Sequence, residues 1–232
     1  MASGKRARRD EVVVPLKRRN SNPVEFGFQE IKPLNFIQAE YLRAIQSNQI
    51  IFGVGSAGTG KTYIAATYAA GELFHRRVQK IILTRPNVET GRGLGFLPGT
   101  LEEKYAPYLD PFDSVFSRCL GKGFYEYAIK SGDIQPKPLG FMRGATFEDC
   151  IVLLDEAQNA TRDEMQMLLS RIGKNCKMII SGDVDQSDIP DSGLSDAINR
   201  LQYIQDIEIV RFMDSDIVRS KMCKEIIMAY RN

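Results

Sequence analysis

The chain has 232 residues, 43% hydrophobic and 26% charged, which is enough to bury one α/β core and too few for two, and no apolar run approaches the ~20 residues that a membrane span needs. Its formal charge of +2 is uneven: seven basic side chains against two acids give residues 1–22 a net +5 and leave −3 for residues 23–232. Four cysteines without a CxxC pair and a single histidine, His75, argue against a zinc site or a histidine-dependent triad.

Residues 1–22 surround a short Val12-Val13-Val14 run with charge and read as a disordered basic arm, either a phosphate-binding arm for nucleic acid or a solubilising tail. No apolar segment follows the basic residues, so neither a signal peptide nor an anchor is indicated, and a cytoplasmic location is expected. Residues 23–232 read as one domain. Apolar spacing predicts a helix over Phe36–Ile45, then a strand Ile50–Val54, a helix over about 62–76 and a strand Lys80–Thr84. His75, Arg76 and Arg77 fall at the C-terminal end of the second helix, where cations complement the dipole.

Prolines then punctuate an irregular insertion over about 85–148, expected on one face and holding one helix near 112–130. Regularity returns with a strand Cys150–Leu154, a helix over about 161–172, a strand Lys177–Ile180, a helix near 193–201, a strand Ile207–Phe212 and a final helix near 216–230. Cys150 and Cys176 flank or enter strands and read as buried reduced thiols. Apolar strands alternating with helices predict an α/β fold, a mostly parallel sheet with helices on both faces.

Between the first strand and the second helix lies Gly55-Ser56-Ala57-Gly58-Thr59-Gly60-Lys61-Thr62, a complete GxxxxGK[ST] phosphate-binding loop in its strand–loop–helix context. Its glycines let successive N–H groups turn toward phosphate oxygens at a helix N-terminus, Lys61 reaches the β/γ-phosphates, and the Thr62 hydroxyl ligates Mg²⁺. Asp155 and Glu156 end the strand Cys150–Leu154, where a P-loop protein needs its magnesium-linked carboxylate and the base that polarises the attacking water. A nucleoside triphosphate and Mg²⁺ are therefore the expected ligands.

Asp155-Glu156-Ala157-Gln158, Gly182-Asp183-Val184-Asp185-Gln186 and the loop together resemble the ATPase core of superfamily 1 helicases. A closer resemblance is to the PhoH-like proteins, P-loop ATPases of bacteria and phages. It is carried by Thr84-Arg85-Pro86-Asn87-Val88-Glu89, Leu94-Gly95-Phe96-Leu97-Pro98-Gly99, Met142-Arg143-Gly144, Leu154-Asp155-Glu156-Ala157-Gln158-Asn159 and Asp216-Ile217-Val218-Arg219, and spans roughly residues 34–231. It implies a RecA-like domain.

The same resemblance gives roles to single residues. Gln38, seventeen positions before Gly55, would read adenine; the alternative is an exposed helix amide. Gln186 would sense the γ-phosphate, and Asp183 would orient it or form a turn. Arg219 would be an arginine finger or a solvated helical arginine. With no second RecA-like domain in the chain, the finger is expected from a neighbour in trans or from elsewhere in the same domain, and the resemblance suggests a hexameric ring. Arg85 and Arg143 are expected at a nucleic-acid face, with Arg92, Lys104 and Lys122 in the insertion. Phe96, Tyr105, Tyr108 and Phe112 are candidates for base stacking or for a small core.

The leading expectation is an ATPase coupled to binding, unwinding or remodelling of single-stranded nucleic acid, with RNA favoured by what the resemblance implies. An ATP-gated oligomeric scaffold that moves no strand is the alternative. A small metabolite kinase is a third possibility, disfavoured by the water-activating position of Glu156 and the absence of an evident lid.

Overall fold

A run of five to seven β-branched and apolar residues becomes a buried strand when both faces of its sheet are covered, and four of the runs in this chain do so. A computed structural model describes residues 28–86, 110–220 and, further on, 222, 223, 225, 226 and 229. The strands are β1 (Ile50–Gly55), β2 (Lys80–Thr84), β3 (Ile134–Pro136), β4 (Cys150–Leu154), β5 (Cys176–Gly182) and β6 (Ile207–Phe212), ordered β3-β2-β4-β5-β1-β6. Every pairing is parallel. The domain is single and RecA-like, with β5 placed between the P-loop strand β1 and the acidic strand β4.

Alternation along the strands divides the core. Ile51, Ile81, Leu83, Ile151, Leu153 and Ile179 face a layer built from α1 (Phe36–Ser47), α2 (Lys61–Phe74), α3 (Asp110–Leu120) and α4 (Lys122–Ser131). Phe52, Ile82, Val152, Leu154, Met178 and Ile180 face the other layer, made by α5 (Arg162–Leu169), α6 (Gly193–Leu201) and a 3-10 turn at Leu139–Met142. Helix starts follow capping chemistry: Asn35 accepts from Gln38 N–H at α1, Thr161 and Glu164 form a capping box at α5, and Ser192 caps α6. At the far end of α1, the ammonium of Lys177 on β5 donates to the carbonyls of Ile45 and Asn48. Burial lowers the pKa of that lysine.

The expected helix near 112–130 is two helices. Gly121, at φ +77, breaks the chain between α3 and α4. The expected one-face insertion is also corrected: after α4 the chain adds β3 to the sheet edge, and Leu139 and Met142 then enter the opposite core layer. Phe112, considered for base stacking, is core, with its ring 6.3 Å from that of Phe116. Lys122 is exposed and pairs with Glu126 at 3.8 Å. The basic arm, Arg92, Lys104, Phe96, Tyr105 and Tyr108 lie outside the described residues, as does part of the expected last helix, whose described positions are helical from 222 onward. Among the described residues no helix is long and apolar enough to cross a membrane.

Candidate active site

The phosphate loop closes where β1 runs beside β6. Gly55 has φ +129, and a Cβ there would stand 2.1 Å from the Phe212 carbonyl oxygen, so only glycine lets the two strands approach this closely. The loop is braced from inside. Thr59 Oγ1 donates to the Ser56 carbonyl at 2.9 Å, and the buried Lys61 ammonium donates to the carbonyls of Gly55 and Ser56, the latter at 2.8 Å. The Ser56 hydroxyl donates to Asp214, in a 3-10 turn at Asp214–Asp216 after β6.

Across the cleft, β4 delivers Asp155, whose N–H donates to the Thr84 carbonyl at 3.1 Å. Both of its oxygens are engaged: Oδ1 accepts from Thr62 Oγ1 at 3.1 Å, and Oδ2 lies 2.6 Å from Arg85 Nη2. Thr62 and Asp155 thus offer two hard oxygen donors side by side, the chemistry that Mg²⁺ takes when substrate phosphates and water complete its shell. Among the described residues there is no group of three or more His, Cys, Asp or Glu able to hold a metal by itself.

Glu156 follows at φ +54, a left-handed conformation that costs energy for a side chain of this size and recurs at functional sites. Its carboxylate is half-exposed, at 51%. It accepts from Gln158 Nε2 at 2.7 Å and lies 3.7 Å from Arg85 Nη2. Gln158, 4% exposed, turns its oxygen the other way and accepts from Asp183 N–H at 3.0 Å. One buried amide therefore joins the end of β4 to the end of β5. Asp183 accepts from Asp185 N–H with its side chain and from Gln186 N–H with its carbonyl. Beneath the site, burial raises the pKa of Tyr41, whose hydroxyl is 3.5 Å from Ser181 Oγ.

These groups line a cleft of about 480 Å³ that includes Lys61, Thr62, Asp155, Glu156, Gln186 and Arg219. Six separate stretches of sequence meet there. Arg219 enters from the same chain: Val218 N–H donates to the Gly58 carbonyl at 3.1 Å, and a Cβ on Gly58 would meet Arg219 Cδ at 2.9 Å. The sequence left the source of this arginine open between a neighbour in trans and the same domain; here the chain's own segment after β6 folds back over its own loop.

Gln38 is 1% exposed and does not line the cleft. Its oxygen accepts from Leu34 N–H and its nitrogen donates to the Thr59 carbonyl, both at 2.8 Å, so it is not an exposed helix amide, and its amide is engaged with backbone at the loop. Arg85 is in the cleft on Asp155, not on an outward loop. Arg143 is exposed after the Leu139–Met142 turn and lines no part of the cleft. Two participants were not assigned from sequence. Gln158 was legible within the quoted Asp155-Glu156-Ala157-Gln158 block, whereas Asp214 carries no local signal because its partner Ser56 is 158 positions away.

A sequence profile described as "PhoH-like protein" matches residues 30–231. The chain is 46% identical over 201 residues to Protein PhoH of Escherichia coli (strain K12), covering 84% of this chain and 57% of that one. It is 46% identical over 196 residues to a PhoH-like protein of Bacillus subtilis (strain 168), covering 83% of this chain and 61% of the relative. The match thus spans less than two thirds of these relatives' length. Among solved structures, the large terminase from a thermophilic bacteriophage aligns with a TM-score of 0.49 at 13% identity, over 85% of this chain and 50% of that one.

Proposed function

The chain belongs to the PhoH-like family, and from that membership and the geometry of the cleft we propose that it binds ATP with Mg²⁺ and hydrolyses it, coupled to binding or remodelling of single-stranded nucleic acid. The observation that carries the hydrolytic reading is the placement of Glu156. Its carboxylate is held at the mouth of the phosphate loop by Gln158 while Asp155 is tied to Thr62, so a base and a metal-side acid stand on the same cleft.

The chain's own groups divide the work. Lys61 exchanges its bonds to the Gly55 and Ser56 carbonyls for β- and γ-phosphate oxygens. Thr62 and Asp155 would hold Mg²⁺, which when bound supplies charge neutralisation at those phosphates. Glu156 accepts a proton from the attacking water. Gln186, at the mouth, contacts the γ-phosphate, and Arg219 offers its donors from above Gly58 to charge developing on the transferred group. Gln38 acts by bracing Thr59.

The nucleic-acid half rests on the family resemblance and on the exposed Arg143. A second reading, an ATP-gated assembly module, draws on one observation. Asn35 Nδ2 donates to the Asp216 carbonyl at 3.2 Å, joining the start of α1 to the segment after β6, and Leu34, Phe36 and Met213 are exposed around this joint. ATPase rates with and without single-stranded RNA or DNA, for wild type and Glu156→Gln, separate the two. Stimulation by a strand that disappears in the variant supports coupling, and a rate indifferent to every strand supports the assembly module. Absence of ATP hydrolysis by wild type would falsify the first reading, and absence of ATP binding would overturn both.

A further inference from the structure

Arg85 is the cation nearest the metal-side acid. Its guanidinium lies 2.6 Å from Asp155 Oδ2 and 3.7 Å from Glu156 Oε1, with the side chain only 18% exposed. The other oxygen of Asp155 is taken by Thr62, so each carboxylate oxygen has a partner. A guanidinium and a divalent ion repel at this range, and partial burial weakens the screening between them. A divalent ion linked to Asp155 and Thr62 therefore competes directly with Arg85. Once displaced, the guanidinium can turn to an anion within the reach of its side chain, and in a P-loop cleft the terminal phosphoryl group lies between Lys61 and Glu156.

We infer that Arg85 is a resident counter-cation of the metal site, which holds Asp155 against free divalent ions and transfers to the terminal phosphate when metal and triphosphate enter together. Guanidinium geometry suits both partners, because its fork matches carboxylate and phosphate alike. The consequence is discrimination by cargo. A triphosphate draws Arg85 off Asp155 and admits the metal, whereas a diphosphate lacks the drawing group and leaves the competition in place. The inference rests on the proposed ATP site and adds a selectivity to it.

The test uses the full chain and Mn²⁺ as probe, with free Mn²⁺ read by its EPR signal and nucleotide affinity by fluorescent ATP and ADP analogues. Arg85→Gln is expected to bind Mn²⁺ alone about tenfold more tightly than wild type, and to lose about tenfold in affinity for the triphosphate in Mn²⁺ with no loss for the diphosphate. Arg85→Lys, which keeps the charge and loses the fork, is expected to retain the exclusion of free Mn²⁺ and to lose part of the triphosphate preference. Arg85→Gln binding Mn²⁺ no better than wild type, or losing both nucleotides equally, reduces Arg85 to a structural partner of Asp155.

Wild type alone also decides, even if the glutamine variant does not fold. Equal tightening of Mn²⁺ by the diphosphate and triphosphate analogues overturns the inference. A chain that hydrolyses ATP without this coupling sinks the inference alone, while coupling without hydrolysis sinks the proposed function alone.

Discussion

The carboxylate of Glu156 is aimed by a residue two positions later. Gln158 spans from Glu156 Oε2 to Asp183 N–H with both ends of one amide, and a Cβ on Gly182 would stand 2.9 Å from its oxygen, so the amide has little room to move. Gln158→Ala is expected to lower kcat by roughly 10–100-fold with KM for ATP nearly unchanged, because it removes orientation of the base and no contact to phosphate; a change in KM alone would assign it to binding. Gln38→Ala is expected to weaken ATP and GTP alike, by about tenfold, since the buried amide braces Thr59. A loss confined to ATP would return Gln38 to the base. Lys61, Thr62 and Asp155 were legible because fixed spacing and a strand end carry their chemistry. The bonds of Gln38 were not, because a buried amide is satisfied by whatever the fold brings to it, here a carbonyl 21 positions away.

At the level of elements, the strands flanking the loop read directly from sequence, since β1, β2, β4 and β5 are apolar runs buried on both faces. The stretch from Asp110 to Pro136 did not. Gly121 interrupts what looks like one helical pattern, and Ile134-Gln135-Pro136 is too short to show a period; its proline is tolerated because β3 is an edge strand. The packing makes this stretch integral. Phe116 is fully buried, α3 packs on α2, and Tyr125 of α4 lies 5.8 Å from the Phe116 ring. Phe116→Ala is expected to cost about 3–5 kcal/mol in urea unfolding and to leave a single transition. A separate early transition, with the main one unmoved, would make α3 and α4 an appendage.

For the whole molecule, the cleft draws on both ends of the described chain. On the N-terminal side Gln38 braces the loop at Thr59 and Asn35 holds the Asp216 carbonyl, neither of them lining the cleft, while Val218 and Arg219 line it from beyond β6. If Arg219 serves the cleft of its own chain, which it lines, mixing Lys61→Ala and Arg219→Ala chains is expected to restore no ATPase activity, whereas a finger shared between subunits would complement. Saturation with ATP and Mg²⁺ at about 100 times Kd is expected to stabilise the fold by about 2.7 kcal/mol, read as an upward shift in thermal melting; no shift would mean that the loop engages no nucleotide. The backbone bond from Val218 to Gly58, with the Arg219 stem beside it, has a mechanical side as well. A load pulling on residue 219 from the C-terminal side would reach the phosphate loop through that hydrogen bond without crossing the sheet.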